Sequence, residues 1–425
     1  MANPQTTEIA LQRTSLKINT ARLQGEIDSL ALITEGEPPV VTRVIFSEAD
    51  LRGREFVKSL CENAGLSLRE DSVGNIFARW TGSDPSLPPV ATGSHIDAIP
   101  NAGKYDGVVG VLGAIEAIRS LKESGFFPRR SIELIVFTSE EPTRFGIGCL
   151  GSRLLSGVLT PERAEVLRDR QGNDLLFWRN QAKCKGALES VRLPSHCYSA
   201  FLELHIEQGP LLERENLDIG IVEKIAAPSA LRLKLTGEGG HAGAVLMRDR
   251  HDAGLAGAEI SLAVEKAALE SGSVDTVGTT GIFAIEPGAI NSVPCRALLE
   301  IDLRDTNIET RDKALSMIEA AAKEICIRRG VELEISRINM DPPAICDAGL
   351  VETLTAICKE QKTSYQLMIS RAYHDSLFMA QICPTSMIFI PCLRGMSHRP
   401  DEYSSPDQIE KGVRILALAL AEIST

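Results

Sequence analysis

The chain has 425 residues, 44% of them hydrophobic and 24% charged, with a mean hydropathy near zero. This is the composition of a folded globular protein and excludes disordered and fibrous classes; the length exceeds what one core of ~250–300 residues holds, so two domains are expected. Forty-five basic against fifty-seven acidic side chains give a net charge of −12 with no compensating Lys/Arg run, which excludes nucleic acid and anionic membrane as partners.

The first thirty residues carry Glu8, Arg13, Lys17, Arg22, Glu26 and Asp28 and leave no apolar stretch of signal-peptide or membrane-span length, so a cytoplasmic location is expected for the chain as written. From about residue 88 to 206, short β-rich runs alternate with helical periodicity, the rhythm of a sheet covered by helices. Residues 89–96 predict a strand. Over 107–123, Val108, Val111, Leu112, Ile115, Ile118 and Leu121 fall at helical spacing, and Gly125 with Pro128 ends the run. Residues 131–138 (SIELIVFT) predict a strand buried on both faces. A helix with Leu150, Leu154 and Leu155 follows, then a helix and surface loops over 160–195, then a short strand at 201–205.

A second pattern begins near 218. Residues 231–235 (LRLKL) alternate strictly, as a half-buried strand does. Helices are predicted over 252–270 and 310–329, and strands over 281–285, 297–303 and 331–336, which makes an inserted α+β unit. After Pro342-Pro343 come a helix near 349–360, a strand at 386–391 and a closing amphipathic helix at 407–423. The expected division is 1–217 and 334–425 for one domain and 218–333 for the insertion.

His95, Asp106, Glu141, His205 and His398 are potential metal ligands just beyond strand ends, where an α/β sheet usually binds its ligands. Asp97, two residues after His95, is placed to hold the imidazole. Glu140-Glu141 ends a very apolar strand; adjacent carboxylates there need a nearby positive charge, and one can bind a metal while its neighbour acts as base. Each segment alone has an ordinary explanation: a helix cap, a solvated strand end, a core histidine, a surface turn.

In combination, GSHID, KYDG, TSEE, LELHIEQG, GGHAG, GAINSVP, EIDLRD, AYHDS and SHRPDE stand in one order along nearly the whole chain. This set resembles the amidohydrolase branch of the M20 metallopeptidase family. The resemblance implies an α/β two-domain fold, with a mixed-sheet metal-binding catalytic domain and an inserted α+β lid and dimerisation domain. It implies that Asp106 bridges two divalent ions, one completed by His95 and His205, the other by Glu141 and His398. Three histidines and two carboxylates suit Mn(II) as well as Zn(II); the resemblance favours Mn2+, with Zn2+ or Ni2+ as alternatives.

The resemblance further implies Glu140 as general base, with Asp97 and His241 also catalytic. His241 would act in the partner subunit's site of a homodimer. Gln208, Asn291, Arg304, Tyr373 and His374 would contact a small ureido substrate together with Glu140 and His241. For Arg304 an ion pair with Asp302 or Asp305 is the alternative, and for His374 a buried role beside Asp375. The SRAYHDS segment at 370–376 has Tyr373 where relatives acting on allantoate and carbamoyl amino acids carry glycine. A phenol there suits a shorter substrate with a 2-hydroxyl. The implied activity is therefore hydrolysis of (S)-ureidoglycolate to glyoxylate, ammonia and carbon dioxide in purine-ring breakdown, with allantoate or an N-carbamoyl amino acid as alternatives. A catalytically retired binding module and an aminoacylase-type exopeptidase are the more distant ones. Plant members of the branch begin with a secretory leader, so the endoplasmic reticulum lumen is the alternative compartment.

Overall fold

In the computed structural model, residues 16–425 are described; Glu8 and Arg13, part of the N-terminal charge pattern, lie outside the described residues. Two compact units are present, the larger running to Glu223 and resuming over Ile345–Met368 and His374–Thr425, the smaller comprising Lys224–Ala344 and Ile369–Tyr373.

The larger unit is built on a nine-stranded sheet. Its four central neighbours, Thr385–Ile390, Ala200–Ile206, Val90–His95 and Ile132–Phe137, run parallel. Ile76–Trp80 and Ser67–Glu70 extend one side antiparallel, and Ile219–Ile225 pairs antiparallel with Thr385–Ile390 on the other. The uninterrupted apolar reading of 132–137 has a direct cause. Leu134 and Val136 enter one core while Ile135 and Phe137 enter another on the opposite face, because successive strand side chains alternate.

On the first face lie the helices Val108–Glu123 and Pro406–Ile423. Ser405 opens the second of these with a reciprocal cap: its Oγ accepts from the Gln408 N–H and Gln408 Oε1 accepts from the Ser405 N–H, with Pro406 in the first turn. Such a cap contributes about 1 kcal/mol. The opposite face differs from expectation. Residues 160–195 form two short helices, Pro161–Glu165 and Leu175–Gln181, and send Ala164, Leu175, Leu188 and Val191 into the core with Phe137 and Phe201. Their apolar residues are too irregularly spaced to announce burial.

The smaller unit has a four-stranded antiparallel sheet in the order Val277–Glu286, Arg296–Asp305, Ala227–Thr236, Glu332–Met340. Leu231, Leu233, Leu235, Leu299, Ile301 and Leu303 point to one face, where they pack with residues of the helices Ala253–Leu269 and Ile308–Arg329. The unit's bounds correct the expected 218–333. Ile219–Ile225 belongs to the large sheet through Thr385–Ile390, and a cut after 333 would split Glu332–Met340, which pairs with Ala227–Thr236 over most of its length. No helix among the described residues is long and apolar enough to cross a membrane.

Candidate metal centre

Four site segments emerge at the same end of the central parallel strands. His95 is the last residue of Val90–His95, His205 the penultimate residue of Ala200–Ile206, and Glu140-Glu141 follows Ile132–Phe137. The segment carrying His398 follows Thr385–Ile390. Asp106 comes from the turn before the helix Val108–Glu123, whose N-cap Gly107 has φ 65°.

Asp106 is the centre of the arrangement. Its Oδ1 lies 3.2 Å from His205 Nε2 and 3.6 Å from His95 Nε2, and its Oδ2 lies 3.2 Å from His398 Nε2, which in turn is 3.3 Å from Glu141 Oε1. The five residues thus form two triads that share Asp106, with ligating atoms inside 4.8 Å of one another. Both buried rings face inward by the same device. Nδ1 of His95 lies 3.0 Å from the Asp97 carbonyl and Nδ1 of His205 2.9 Å from the Ile206 carbonyl, so in the neutral ring the proton sits on Nδ1 and Nε2 keeps its lone pair.

The electrostatics are those of a centre short of positive charge. Burial works against ionisation of Asp106, yet His205, His398 and His95 together hold its carboxyl well below the usual range. Burial drives Glu140 well above the usual range, with His95 opposing and Glu141 adding. Burial likewise pushes Asp97 up to about 7. Among the described residues, the charged partners of Asp106, Glu140 and Glu141 are histidines alone. Nitrogen and carboxylate donors packed this closely, with no Lys or Arg to balance them, fit divalent ions. Backbone strain accompanies the site: Ser139, Cys149, Gln208 and His398 are non-glycine residues with φ between 55° and 60°, a conformation costing on the order of 1 kcal/mol or more each.

The other expected residues are placed as follows. Asp97 does not hold His95 through its carboxylate, which lies 3.7 Å from Nδ1; it accepts instead from the backbone N–H groups of Glu140 and Glu141 at 3.2 and 3.1 Å. It therefore orients the paired glutamates. Gln208 donates from Nε2 to Asp106 Oδ2 at 2.8 Å. His374 is buried, with its ring centroid 4.5 Å from that of His205, so it supports that ring. In the smaller unit, His241 pairs with Ser292 across a short two-stranded ladder and the Ala242 N–H bonds the Asn291 carbonyl, which brings His241 and Asn291 together. Arg304 grips Asp302 through Nε and Nη2 at 3.0 and 2.7 Å, and its guanidinium carbon is 5.2 Å from the Tyr373 ring centroid; the alternative ion pair is the one formed.

Sequence reasoning missed four residues. Cys149 Sγ lies 3.5 Å from Glu140 Oε1. Glu203 accepts from Ser94 and Ser376 hydroxyls at 2.7 and 2.6 Å inside the core. Ser397 Oγ lies 3.0 Å from Asp106 Oδ2, and Glu402, within the same SHRPDE segment as His398, accepts from the backbone behind Asp106. The SHRPDE motif contained the last two but marked only His398.

A doubly covered parallel sheet with paired histidine–carboxylate triads at its carboxyl edge defines a metal-binding α/β protein. The chain belongs to Peptidase family M20/M25/M40, whose model matches residues 91–422. It is similar to the ureidoglycolate hydrolase of Arabidopsis thaliana, 54% identical over 419 residues that cover 96% of this chain and 88% of the relative. Ureidoglycolate hydrolase of Oryza sativa subsp. japonica is 53% identical over 414 residues, covering 96% and 85%. A solved structure described as AtUAH in complex with glyoxylate superposes with a TM-score of 0.92 at 53% identity, over 97% of this chain and 99% of that one. The same figures hold for AtUAH in complex with (S)-hydroxyglycine.

Proposed function

We propose that the protein hydrolyses (S)-ureidoglycolate with two divalent ions, the first held by His95, His205 and Asp106, the second by Glu141, His398 and Asp106. The observation that carries the two-ion reading is the division of Asp106, one oxygen toward the two buried histidines and the other toward His398. Identity above half with two ureidoglycolate hydrolases supports the substrate, and the metal-dependent amidohydrolase class with it. The ions, for which we propose Mn2+, supply Lewis acidity and lower the pKa of water.

Glu140 takes the proton of the attacking water and returns it to the departing ammonia. Asp97 fixes its backbone, and the Cys149 thiol lies beside its Oε1. Water adds to the ureido carbonyl and the C–NH2 bond breaks. The resulting N-carboxy compound loses carbon dioxide to give hydroxyglycine, which expels a second ammonia and leaves glyoxylate. One water is consumed overall. Arg304, released from Asp302, and Asn291 would hold the substrate carboxylate and hydroxyl, with Tyr373 filling the space a longer substrate needs.

We also propose a homodimer. Val277, Ile282, Phe283 and Ile285 are exposed along Val277–Glu286, the edge strand of the smaller sheet, and Leu262 is exposed on Ala253–Leu269. An apolar unpaired edge of this kind pairs readily with a second copy. The decisive assay loads metal-free protein with Mn2+, counts bound ions, and follows glyoxylate and ammonia from (S)-ureidoglycolate and, separately, from allantoate. Turnover of allantoate without turnover of ureidoglycolate would overturn the substrate.

A further inference from the structure

The segment carrying His398 runs from Leu393 to Tyr403 and is closed on itself by a bond from the Leu393 N–H to the Tyr403 carbonyl at 2.8 Å. His398 itself is in the left-handed region at φ 60° and its side chain is half exposed. An exposed residue in a costly backbone conformation keeps it only if neighbours hold the segment. Asp106, the residue with which it must share an ion, lies far away in sequence.

Glu402 joins the two. Its Oε1 accepts from two consecutive backbone N–H groups, Tyr105 at 2.8 Å and Asp106 at 3.0 Å, and its Oε2 lies 2.8 Å from Ser397 Oγ. Ser397 Oγ is also 3.0 Å from Asp106 Oδ2, which accepts from Gln208 Nε2. Glu402 is buried, and its seat is made by Gly103, where an added Cβ would meet Glu402 Cβ at 2.4 Å. These bonds go to backbone N–H groups and to the Ser397 hydroxyl rather than to a histidine. A carboxylate accepting two backbone N–H groups forms charge-assisted bonds, about twice as strong as neutral ones.

We infer that Glu402 is a positioning residue that clamps the His398 segment to the Asp106 turn, so that the second triad forms only when both are locked together. The inference rests on the two-ion reading above. It predicts an uneven loss. His95 and His205 sit at the ends of buried strands and do not depend on Glu402, whereas His398 does. Without the clamp, the ion of Glu141 and His398 is lost and the other is retained.

The test uses full-length protein stripped with a chelator and compares wild type, Glu402→Ala and Glu402→Gln. Hydrogen exchange of a peptide spanning 103–107 reads the clamp without metal. The ion count after reloading with Mn2+ reads its consequence. In Glu402→Ala, exchange at Tyr105 and Asp106 should quicken on the order of tenfold or more, and the count should fall from two ions to one. Glu402→Gln should restore both, because its carbonyl accepts the two N–H groups and its NH2 donates to Ser397 Oγ. Glu402→Leu, similar in size and without an acceptor, replaces the alanine variant if that one unfolds. Unchanged exchange with two ions in Glu402→Ala would overturn the clamp. Loss of an ion in Glu402→Gln with exchange still slow would make Glu402 a ligand and overturn it as well. If wild type binds no ion, the two-ion reading fails, while the exchange comparison still decides whether Glu402 ties the segments.

Discussion

Gly107 offers the sharpest test of how the first triad is held. The perturbation is a single methyl group, Gly107→Ala. Two costs can be worked from the geometry. At φ 65° and ψ −41°, outside the left-handed helical region, a side chain adds about 1–3 kcal/mol of backbone strain, which the fold can bear. The second cost is steric, because the new Cβ would lie 2.5–2.6 Å from three atoms of the His95 ring, against an ordinary contact of 3.4 Å or more. The ring must retreat by about 1 Å, a displacement that costs catalysis on the order of 100-fold when it misplaces a reacting or liganding group. His95 is fully buried, with Nδ1 against the Asp97 carbonyl, so it cannot swing away without carrying Nε2 off Asp106. The expected variant is folded by circular dichroism, short of one ion by elemental analysis, and about 100-fold slower in glyoxylate release. A variant with two ions and activity within a few-fold of wild type would refute the claim that His95 is held in place by the absence of a side chain at 107.

Glu140→Gln should keep both ions and the fold while turnover falls about 10²–10⁴-fold, since an amide accepts no proton from water; near-normal ammonia release would remove Glu140 as the base. Asp106→Ala should bind neither ion tightly, and two ions per subunit by elemental analysis would refute the bridge. Contacts with Asp106 and Glu141 raise the His398 pKa to about 11 in the ion-free protein, so the ring is protonated at pH 8 and must release that proton to ligate. Ion binding should therefore strengthen as pH rises toward that value and release protons, seen as buffer-dependent heats in calorimetry; heats independent of buffer would contradict it. If His241 acts in the partner's site, mixing the inactive His241→Ala and Glu140→Gln proteins under subunit exchange should recover up to about a quarter of wild-type activity, and no recovery despite heterodimers seen by native mass spectrometry would confine it to its own subunit or to no catalytic role.

What could be read of the fold depended on burial. Ile132–Phe137 announced itself because both of its faces are covered, and Ala227–Thr236 because one is. Ser67–Glu70 gave no such sign: it is a short edge strand with three of four residues exposed, and its pattern is that of a turn. The domain boundary was misplaced for a related reason. Ile219–Ile225 and Ala227–Thr236 are separated by one residue and are both apolar, yet they pair in different sheets. Hydrophobic pattern reports that a strand is buried and is silent on which partner buries it.

The site divides along the same line. The candidate ligands were legible because metal chemistry restricts residue type, and His95, Asp106, Glu141, His205 and His398, which the fold gathers, stand in ordered motifs. The groups that aim them were not. Asp97 looked like a partner for His95, two residues away, whereas its oxygens hold the N–H groups of Glu140 and Glu141 across the sheet edge. Glu402 bonds the backbone 296 and 297 residues before it, and nothing in a polar loop distinguishes it from the solvated Asp401 beside it. Yet the consequence of gathering these acids is chemical. Burial pushes Glu402 and Asp97 each up to about 7, and contacts with Asp106 and Glu141 raise His398 to about 11. The ion-free centre balances its charge with protons, and a divalent ion that entered would exchange places with them. The same surplus of carboxylates thus makes the cluster a strong site for a cation and leaves Glu140, driven toward proton uptake by its burial, as the carboxylate suited to carry a proton through the reaction.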